Sequence, residues 1–130
     1  MYEILQKQIC DAKLEKHMHL VGFQEEISDY LSQLDIFILP SRSEGFPVSL
    51  LEALASGLSC IATHVGGIPE MLEDGVVVPL EDPQALADAM LKLLDPTIRD
   101  CFARMSSQIV EKYSLDRCVG EFKKVYESLL

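Results

Sequence analysis

The run DIFILP, from Asp35 to Pro40, constrains the fold more than any other feature, because its four central residues are all apolar. A strand without polar alternation has to be covered on both faces, which is typical of a parallel sheet between two layers of helices. A helix is predicted soon after it, from about Pro47, with proline in its first turn and Gly57 just past its end. The chain is therefore predicted to belong to the α/β class.

The same alternation of strands and helices continues along the chain. Apolar residues at helical spacing predict helices over residues 2–15 and 24–34, and from Pro83 onward the pattern is helical throughout. Three further segments are predicted strands, which makes four with DIFILP: His17–Phe23, Cys60–Thr63 and Val76–Leu80. A turn is predicted at Asp74-Gly75, before the last of them. These elements predict one domain, residues 1–130, with a Rossmann-like three-layer α/β/α fold, a mostly parallel sheet and a helical tail.

The formal net charge of −10 limits the partners and ligands of the chain. Phosphate backbones are held chiefly by Lys and Arg, so no nucleic-acid partner is predicted. Residues 1–65 contain few Lys or Arg residues, which are Lys7, Lys13, Lys16 and Arg42. A phosphate bound in this half would therefore have to be held mainly by backbone dipoles.

No apolar run reaches the roughly 18 to 20 residues that cross a bilayer, and the start, MYEILQKQIC, lacks the pattern of a signal peptide. We therefore predict a cytoplasmic protein without a transmembrane segment. The four cysteines have no CxxC spacing, which predicts buried reduced thiols rather than a zinc cluster or a disulfide framework; they are Cys10, Cys60, Cys101 and Cys118.

The first candidate site is the loop after DIFILP, which leads into the helix at Pro47. Ligands of open parallel sheets bind beyond the carboxyl ends of the strands, where loops lead into helix N-termini. Here Gly45 permits close backbone approach, and the free amides and positive dipole end of the first turn can hold an anion. Pro47 has no N–H, so the predicted donors are the amides of Gly45, Phe46, Val48 and Ser49, with the Ser49 hydroxyl in addition. A plain capped helix is the alternative.

Two carboxylates accompany this anion site. Glu44 lies in the loop, and Glu52 follows eight residues later, just over one turn into the helix. Carboxylates beside a phosphate are unfavourable unless they accept hydrogen bonds, and the hydroxyls of a sugar or a ribose donate such bonds. The pair therefore suits a nucleotide sugar. For Glu52 alone, a solvated helix residue is the alternative.

The second candidate loop, THVGGIPEMLEDG, is expected to flank the same cleft. Gly66-Gly67 allows tight backbone conformations at this point. His64 is a weak candidate for a general base, because no Ser, Cys or carboxylate is spaced to form a recognisable triad with it.

The sequence PSRSEGFPVSLLEALASG, followed by CIAT and GGIPEMLEDG, strongly resembles the carboxyl-terminal domain of the retaining glycosyltransferases of glycosyltransferase family 4. These enzymes carry an E-x7-E motif followed by a GGxPE segment, and here the motif is Glu44-x7-Glu52. The resemblance covers nearly the whole chain. It implies a GT-B fold and metal-independent transfer of a sugar from a nucleoside diphosphate to an acceptor, such as a glycan or a lipid-linked sugar, with retention of configuration and without a cofactor.

The resemblance also implies roles for individual residues. Glu44 would be the catalytic residue beside the donor sugar, and Glu52 would accept hydrogen bonds from the ribose hydroxyls. The segment from Gly45 through Phe46, Pro47 and Val48 to Ser49 would hold the sugar and the diphosphate, and Gly66 and Gly67 would shape the cleft wall. No metal ligands are implied.

Two parts of the family pattern are not found in this chain. Family members have an amino-terminal acceptor domain, and their donor domain begins with two strands and a basic loop. We therefore expect the isolated chain to be inactive without an acceptor lobe or partner chain. The alternatives are a non-catalytic sugar-nucleotide-binding module that needs a partner, and an epimerase or phosphorylase of similar fold.

The two family strands would lie in the middle of the sheet order 3-2-1-4-5-6, between HMHLVG and DIFILP. Without them, either these two segments pair directly, or apolar sheet edges are exposed and the chain self-associates.

Overall fold

The computed structural model describes residues 2–72 and 75–129. Its elements in chain order are α1 (Tyr2–Asp11), α2 (Ile27–Leu31), β1 (Ile36–Leu39), α3 (Val48–Ala55), β2 (Ser59–Thr63), α4 (Ile68–Met71), β3 (Val76–Val78), α5 (Pro83–Lys92), α6 (Pro96–Lys112) and α7 (Leu115–Ser128). The predicted alternation and the helical tail are confirmed. The predicted turn at Asp74 lies outside the described residues.

The sheet is parallel, with the strand order β1-β2-β3. The central strand β2 is buried along its whole length, and its successive side chains enter two different hydrophobic clusters. Cys60 and Ala62 pack with Leu50 of α3. Ile61 packs with Leu93 after α5. Helices therefore cover both faces of the sheet, which confirms the three-layer α/β/α architecture.

Helix α6 is held to the start of β2 by two hydroxyl groups. The Ser106 hydroxyl donates to the Leu58 carbonyl at 2.8 Å, and the Ser59 hydroxyl donates to the Arg99 carbonyl at 2.6 Å. Ser106 and Ser59 are both buried. Since a buried polar group without a partner would be costly, these bonds fix α6 against the start of β2.

The strand predicted at His17–Phe23 is wrong. Residues 18–24 form no strand, and the described part of the chain has three strands instead of four. Direct pairing of this segment with DIFILP is therefore wrong as well, and β1 is an edge strand. A strand is stabilised by its neighbours, and here the segment has none. Several of its apolar side chains are exposed instead, up to 89% for Phe23.

The apolar stripe of α7 is exposed. The predicted helix is confirmed, but it contains no buried residue among those described. The thiols also differ from the prediction, since only Cys60 is buried, and Cys10, Cys101 and Cys118 are exposed. Burial raises the pKa of the Cys60 thiol to about 12.

Candidate functional site

Both predicted loops leave the same edge of the sheet. Because β1, β2 and β3 are parallel, their carboxyl ends at Leu39, Thr63 and Val78 lie side by side. The loop of residues 40–47, which we call the glutamate loop, follows β1, and the loop of residues 64–67, the glycine loop, follows β2. The Thr63 hydroxyl donates a hydrogen bond to the carbonyl of Ser41. The glutamate loop is thereby tied to the end of the central strand.

The amino end of α3 has no side-chain cap. Pro47 is the N-cap residue, with an extended backbone (φ −74°, ψ 105°), and it makes no side-chain capping hydrogen bond to the first turn. The amides of Leu50 and Leu51 both donate to the Pro47 carbonyl. The amides of Val48 and Ser49 come before these and have no intrahelical acceptor, as in the first turn of any helix. Such amides, at the positive end of the helix dipole, are suited to bind an anion.

The predicted carboxylates differ in their surroundings. Glu44 is half-buried, and its Oε1 accepts a hydrogen bond of 2.6 Å from the Ser41 hydroxyl. Glu52, the fifth residue of α3, is exposed. The glutamate loop contains one cation, Arg42, and this side chain forms an exposed ion pair with Glu81 at 3.3 Å. Besides this exposed arginine, the loop offers an anion its backbone amides and serine hydroxyls.

The glycine loop packs directly against the glutamate loop. Gly66 has φ +52°, and a Cβ atom at this position would lie 1.7 Å from the carbonyl oxygen of Glu44. The Gly67 amide donates to the Gly45 carbonyl at 3.1 Å, and a Cβ atom at Gly67 would lie 2.9 Å from that oxygen. The structure thus brings Glu44, Gly45, Gly66 and Gly67 together, with space only for glycine at Gly66.

The remaining predicted residues surround the start of α3. Pro47 is buried, whereas Val48 and Ser49 are exposed. The Phe46 ring is half-exposed and contacts the Tyr113 ring edge to face, with 5.3 Å between centroids. The Tyr113 hydroxyl also donates to the Glu70 carbonyl in α4 at 3.4 Å. Tyr113 therefore connects the end of α6 with both sides of the site.

Three residues of this arrangement were not predicted from the sequence, namely Ser41, Thr63 and Tyr113. Ser41 lies in the quoted motif, but serine is common in loops and gives no signal of its own. Tyr113 lies far along the chain from the two loops, and no motif in the sequence links it to them. His64, the weak candidate base, is exposed, and its amide donates to the Val78 carbonyl at 2.8 Å.

Two clefts border the site. One, of about 430 Å³, lies over the carboxyl ends of the strands and is lined by Arg42, Thr63 and the segment that follows β3. None of the predicted donor-binding residues lines it. The other, of about 400 Å³, lies between Phe46, Tyr113 and the apolar face of α7. Phe46 is thus shared between the glutamate loop and the groove along α7.

Neither a cluster of metal ligands nor a membrane-spanning helix is found among the described residues. Over residues 2–72 and 75–129, no three His, Cys, Asp or Glu side chains converge closely enough to hold a metal ion. None of the helices described is both long and apolar enough to span a bilayer.

The chain is similar to known glycosyltransferases. It is 45% identical over 100 residues to the amylovoran biosynthesis glycosyltransferase AmsK of Erwinia amylovora, covering 68% of this chain and 25% of that protein. It resembles the solved C-terminal domain of the glycosyl transferase group 1 family protein LpcC from Francisella tularensis, with a TM-score of 0.76 and 30% identity, over 88% of this chain and 63% of that one. Anabaena HepE, solved with UDP and glucose, shares the fold, with a TM-score of 0.84 and 23% identity, over 98% of this chain and 36% of that one.

The curated relatives are much longer than this chain, which spans between 25% and 38% of the length of the first three. Their names favour the glycosyltransferase interpretation over the non-catalytic alternative. Residues 2–96 match the family described as "Glycosyl transferases group 1". This chain therefore belongs to the group 1 glycosyl transferases.

Proposed function

We propose that this chain is the donor-binding part of a retaining glycosyltransferase, which transfers a sugar from a nucleoside diphosphate to an acceptor hydroxyl without a metal ion. The observation that carries the proposal is the amino end of α3, which Pro47 leaves without a side-chain cap and which follows directly on the loop that carries Glu44 and packs against Gly66 and Gly67. HepE was solved with UDP and glucose, which supports a uridine nucleotide as one candidate donor. A nucleotide-sugar donor also favours a cytoplasmic location, and the net charge of −10 argues against a nucleic-acid partner.

In the proposed reaction, the bond between the anomeric carbon and the diphosphate oxygen breaks. A bond to the acceptor oxygen forms on the same face of the sugar, and the acceptor hydroxyl passes its proton to an oxygen of the leaving diphosphate. Negative charge develops on the leaving diphosphate, where the amides of Gly45, Phe46, Val48 and Ser49 stabilise it. This role of the backbone agrees with the ion pair that already engages Arg42.

The two carboxylates have separate roles in this proposal. Glu44 is the catalytic residue beside the donor sugar. Its carboxylate oxygens accept hydrogen bonds from the sugar hydroxyls, and its negative charge stabilises the positive charge that develops at the anomeric carbon. Glu52 binds the two ribose hydroxyls. Gly66 and Gly67 form the wall that keeps the Glu44 backbone in place. An acceptor such as a glycan or a lipid-linked sugar would bind to an acceptor lobe or a partner chain.

The first test is the substitution Glu52→Ala. Hydrogen bonds to a charged group contribute about 1.5 to 3 kcal/mol, so its affinity for UDP is expected to fall at least about tenfold in isothermal titration calorimetry. Glu111→Ala, which removes an exposed carboxylate from α6, is the control and is expected to bind UDP like the wild type.

Two results would contradict this proposal at different levels. An unchanged affinity of Glu52→Ala for UDP removes the assignment of Glu52 alone. A wild-type chain that binds none of UDP, GDP, ADP or their sugar conjugates contradicts the donor-binding function itself.

We also propose that the isolated chain self-associates through its exposed apolar surface. Among the residues that the structure describes, no strand lies beside the outer edge of β1, and Phe23 and the stripe of α7 are exposed. Unpaired strand edges and apolar patches favour association. Sedimentation velocity is expected to give a mass above that of a 14.5 kDa monomer, rising with concentration. A monomer at all concentrations that binds no hydrophobic dye would contradict this proposal.

A further inference from the structure

One hydrogen bond in the glutamate loop joins a side chain with a proposed catalytic role to one without an assigned role. The Ser41 hydroxyl donates to Glu44 Oε1 at 2.6 Å, and both residues are half-buried. This length is typical of a charge-assisted bond from a hydroxyl to a carboxylate. Ser41 has no role in the proposed donor binding, whereas Glu44 is the proposed catalytic residue.

The backbone at both ends of this bond is held by the sheet and the glycine loop. The Thr63 hydroxyl donates to the Ser41 carbonyl, and Thr63 is the last residue of the central strand and only 6% exposed. On the other side, the Glu44 carbonyl lies against Gly66. Ser41 is therefore anchored well enough to orient another side chain.

A glutamate side chain has three rotatable bonds and samples many conformations unless a partner fixes it. The bond from Ser41 engages Oε1 and leaves Oε2 available to a ligand. A carboxylate that is oriented before binding loses less conformational freedom when the sugar arrives. The same bond could instead serve only to brace the loop, since Ser41 and Glu44 are three residues apart.

We infer that Ser41 is a positioning residue, which orients the Glu44 carboxylate toward the sugar of the bound donor. The inference rests on the proposed function. A loop brace and a positioning residue differ in their effect on ligands. Loosening the loop weakens the binding of every nucleotide that its amides hold, whereas misorienting Glu44 weakens the binding only of nucleotides that carry a donor sugar on the diphosphate.

The test compares Ser41→Ala with the wild-type chain by calorimetry, using UDP and three of its conjugates, UDP-glucose, UDP-galactose and UDP-N-acetylglucosamine, together with GDP and GDP-mannose. For the conjugate that the wild type binds best, Ser41→Ala is expected to lose affinity about fivefold to tenfold. Its affinity for the matching nucleoside diphosphate, UDP or GDP, is expected to change less than about twofold, because the amides remain in place. Ser41→Thr keeps a hydroxyl and is expected to restore the affinity for the conjugate.

Three controls separate this role from a general effect. Ser43→Ala makes the same change at an exposed serine of the same loop and is expected to bind like the wild type. In a Glu44→Ala background, Ser41→Ala is expected to have no further effect on the conjugate, because its target is gone. Thermal melting of each variant shows whether the fold is retained.

An equal loss of affinity for the conjugate and for the nucleoside diphosphate alone would identify Ser41 as a loop brace and overturn the inference. So would an unchanged affinity of Ser41→Ala for the conjugate, or a wild type that gains no affinity from any of the sugars. In those cases nucleotide binding by the wild type would leave the proposed donor site standing. A wild type that binds no nucleotide at all overturns the proposed function, and this inference with it.

Discussion

Replacing Gly66 by alanine is expected to weaken nucleotide binding more than about tenfold and to destabilise the fold. The added Cβ atom would lie 1.7 Å from the carbonyl oxygen of Glu44 and 2.8 Å from its carbonyl carbon, so the two loops have to move apart. Both contacts involve backbone atoms, which cannot rotate away like the end of a side chain. The residue would also be left at φ +52°, where alanine is strained.

We expect the free energy of unfolding of Gly66→Ala to fall by about 2 to 5 kcal/mol, which is the sum of the costs of the left-handed conformation and of the overpacking. The affinity for UDP is expected to fall more than about tenfold, because displacement of Glu44 and Gly45 misplaces the amides that follow them. Urea denaturation measures the first quantity, and titration calorimetry measures the second.

Gly57→Ala is the matched control for this substitution. Gly57 has φ +74°, but a Cβ atom there would meet nothing within 4 Å. The substitution Gly57→Ala is therefore expected to lower the free energy of unfolding by only about 1 kcal/mol, and the variant is expected to bind UDP like the wild type. If Gly66→Ala behaves no differently from Gly57→Ala, the close packing of the two loops is not what shapes the site.

The sheet and its helices could be predicted because their signals are local. The apolar run DIFILP and the β-branched segment before Leu80 indicate covered strands, and both became part of a parallel sheet. Pro47 and Gly57 marked the ends of a helix that the structure places at Val48–Ala55. These signals need only a few neighbouring residues, so a single sequence contains them.

The segment His17–Phe23 could not be predicted in the same way. Its residues have the composition of a strand, but a strand also needs a partner beside it, and the described chain supplies none. The predicted burial of Cys10, Cys101 and Cys118 was wrong for a related reason, because burial depends on the elements that pack against a position.

The approach of the glycine loop to Glu44 and Gly45 was predictable in outline, since loops after neighbouring parallel strands meet at one edge. The contacts within the site were not. The bond from Thr63 to Ser41 joins residues 22 positions apart, and the ring contact of Phe46 is with Tyr113 at the end of α6. Both depend on side-chain orientation and long-range packing, which motif spacing does not contain.

The packing beneath the site leads to the second large prediction, for Leu50→Ala. Leu50 is fully buried, with 0% of its surface exposed, in the cluster that joins α3 to β2 and α6. Truncation removes buried methyl groups and leaves a cavity, which costs about 2 to 5 kcal/mol. Since small domains are stable by about 5 to 15 kcal/mol, we expect a large shift of the urea midpoint with an unchanged slope.

Leu91→Ala is the control, because Leu91 lies in α5 with 64% of its surface exposed, and the stability of this variant is expected to differ from the wild type by less than about 0.5 kcal/mol.

UDP adds a functional readout, since a ligand that binds only the folded state stabilises it by mass action. If Leu50 supports the amino end of α3 as well as the core, saturating UDP is expected to raise the midpoint of Leu50→Ala less than that of Leu91→Ala. Equal midpoints of the two variants without ligand would show that α3 is not fixed to the sheet by Leu50. The position of its amides would then depend on the loops alone.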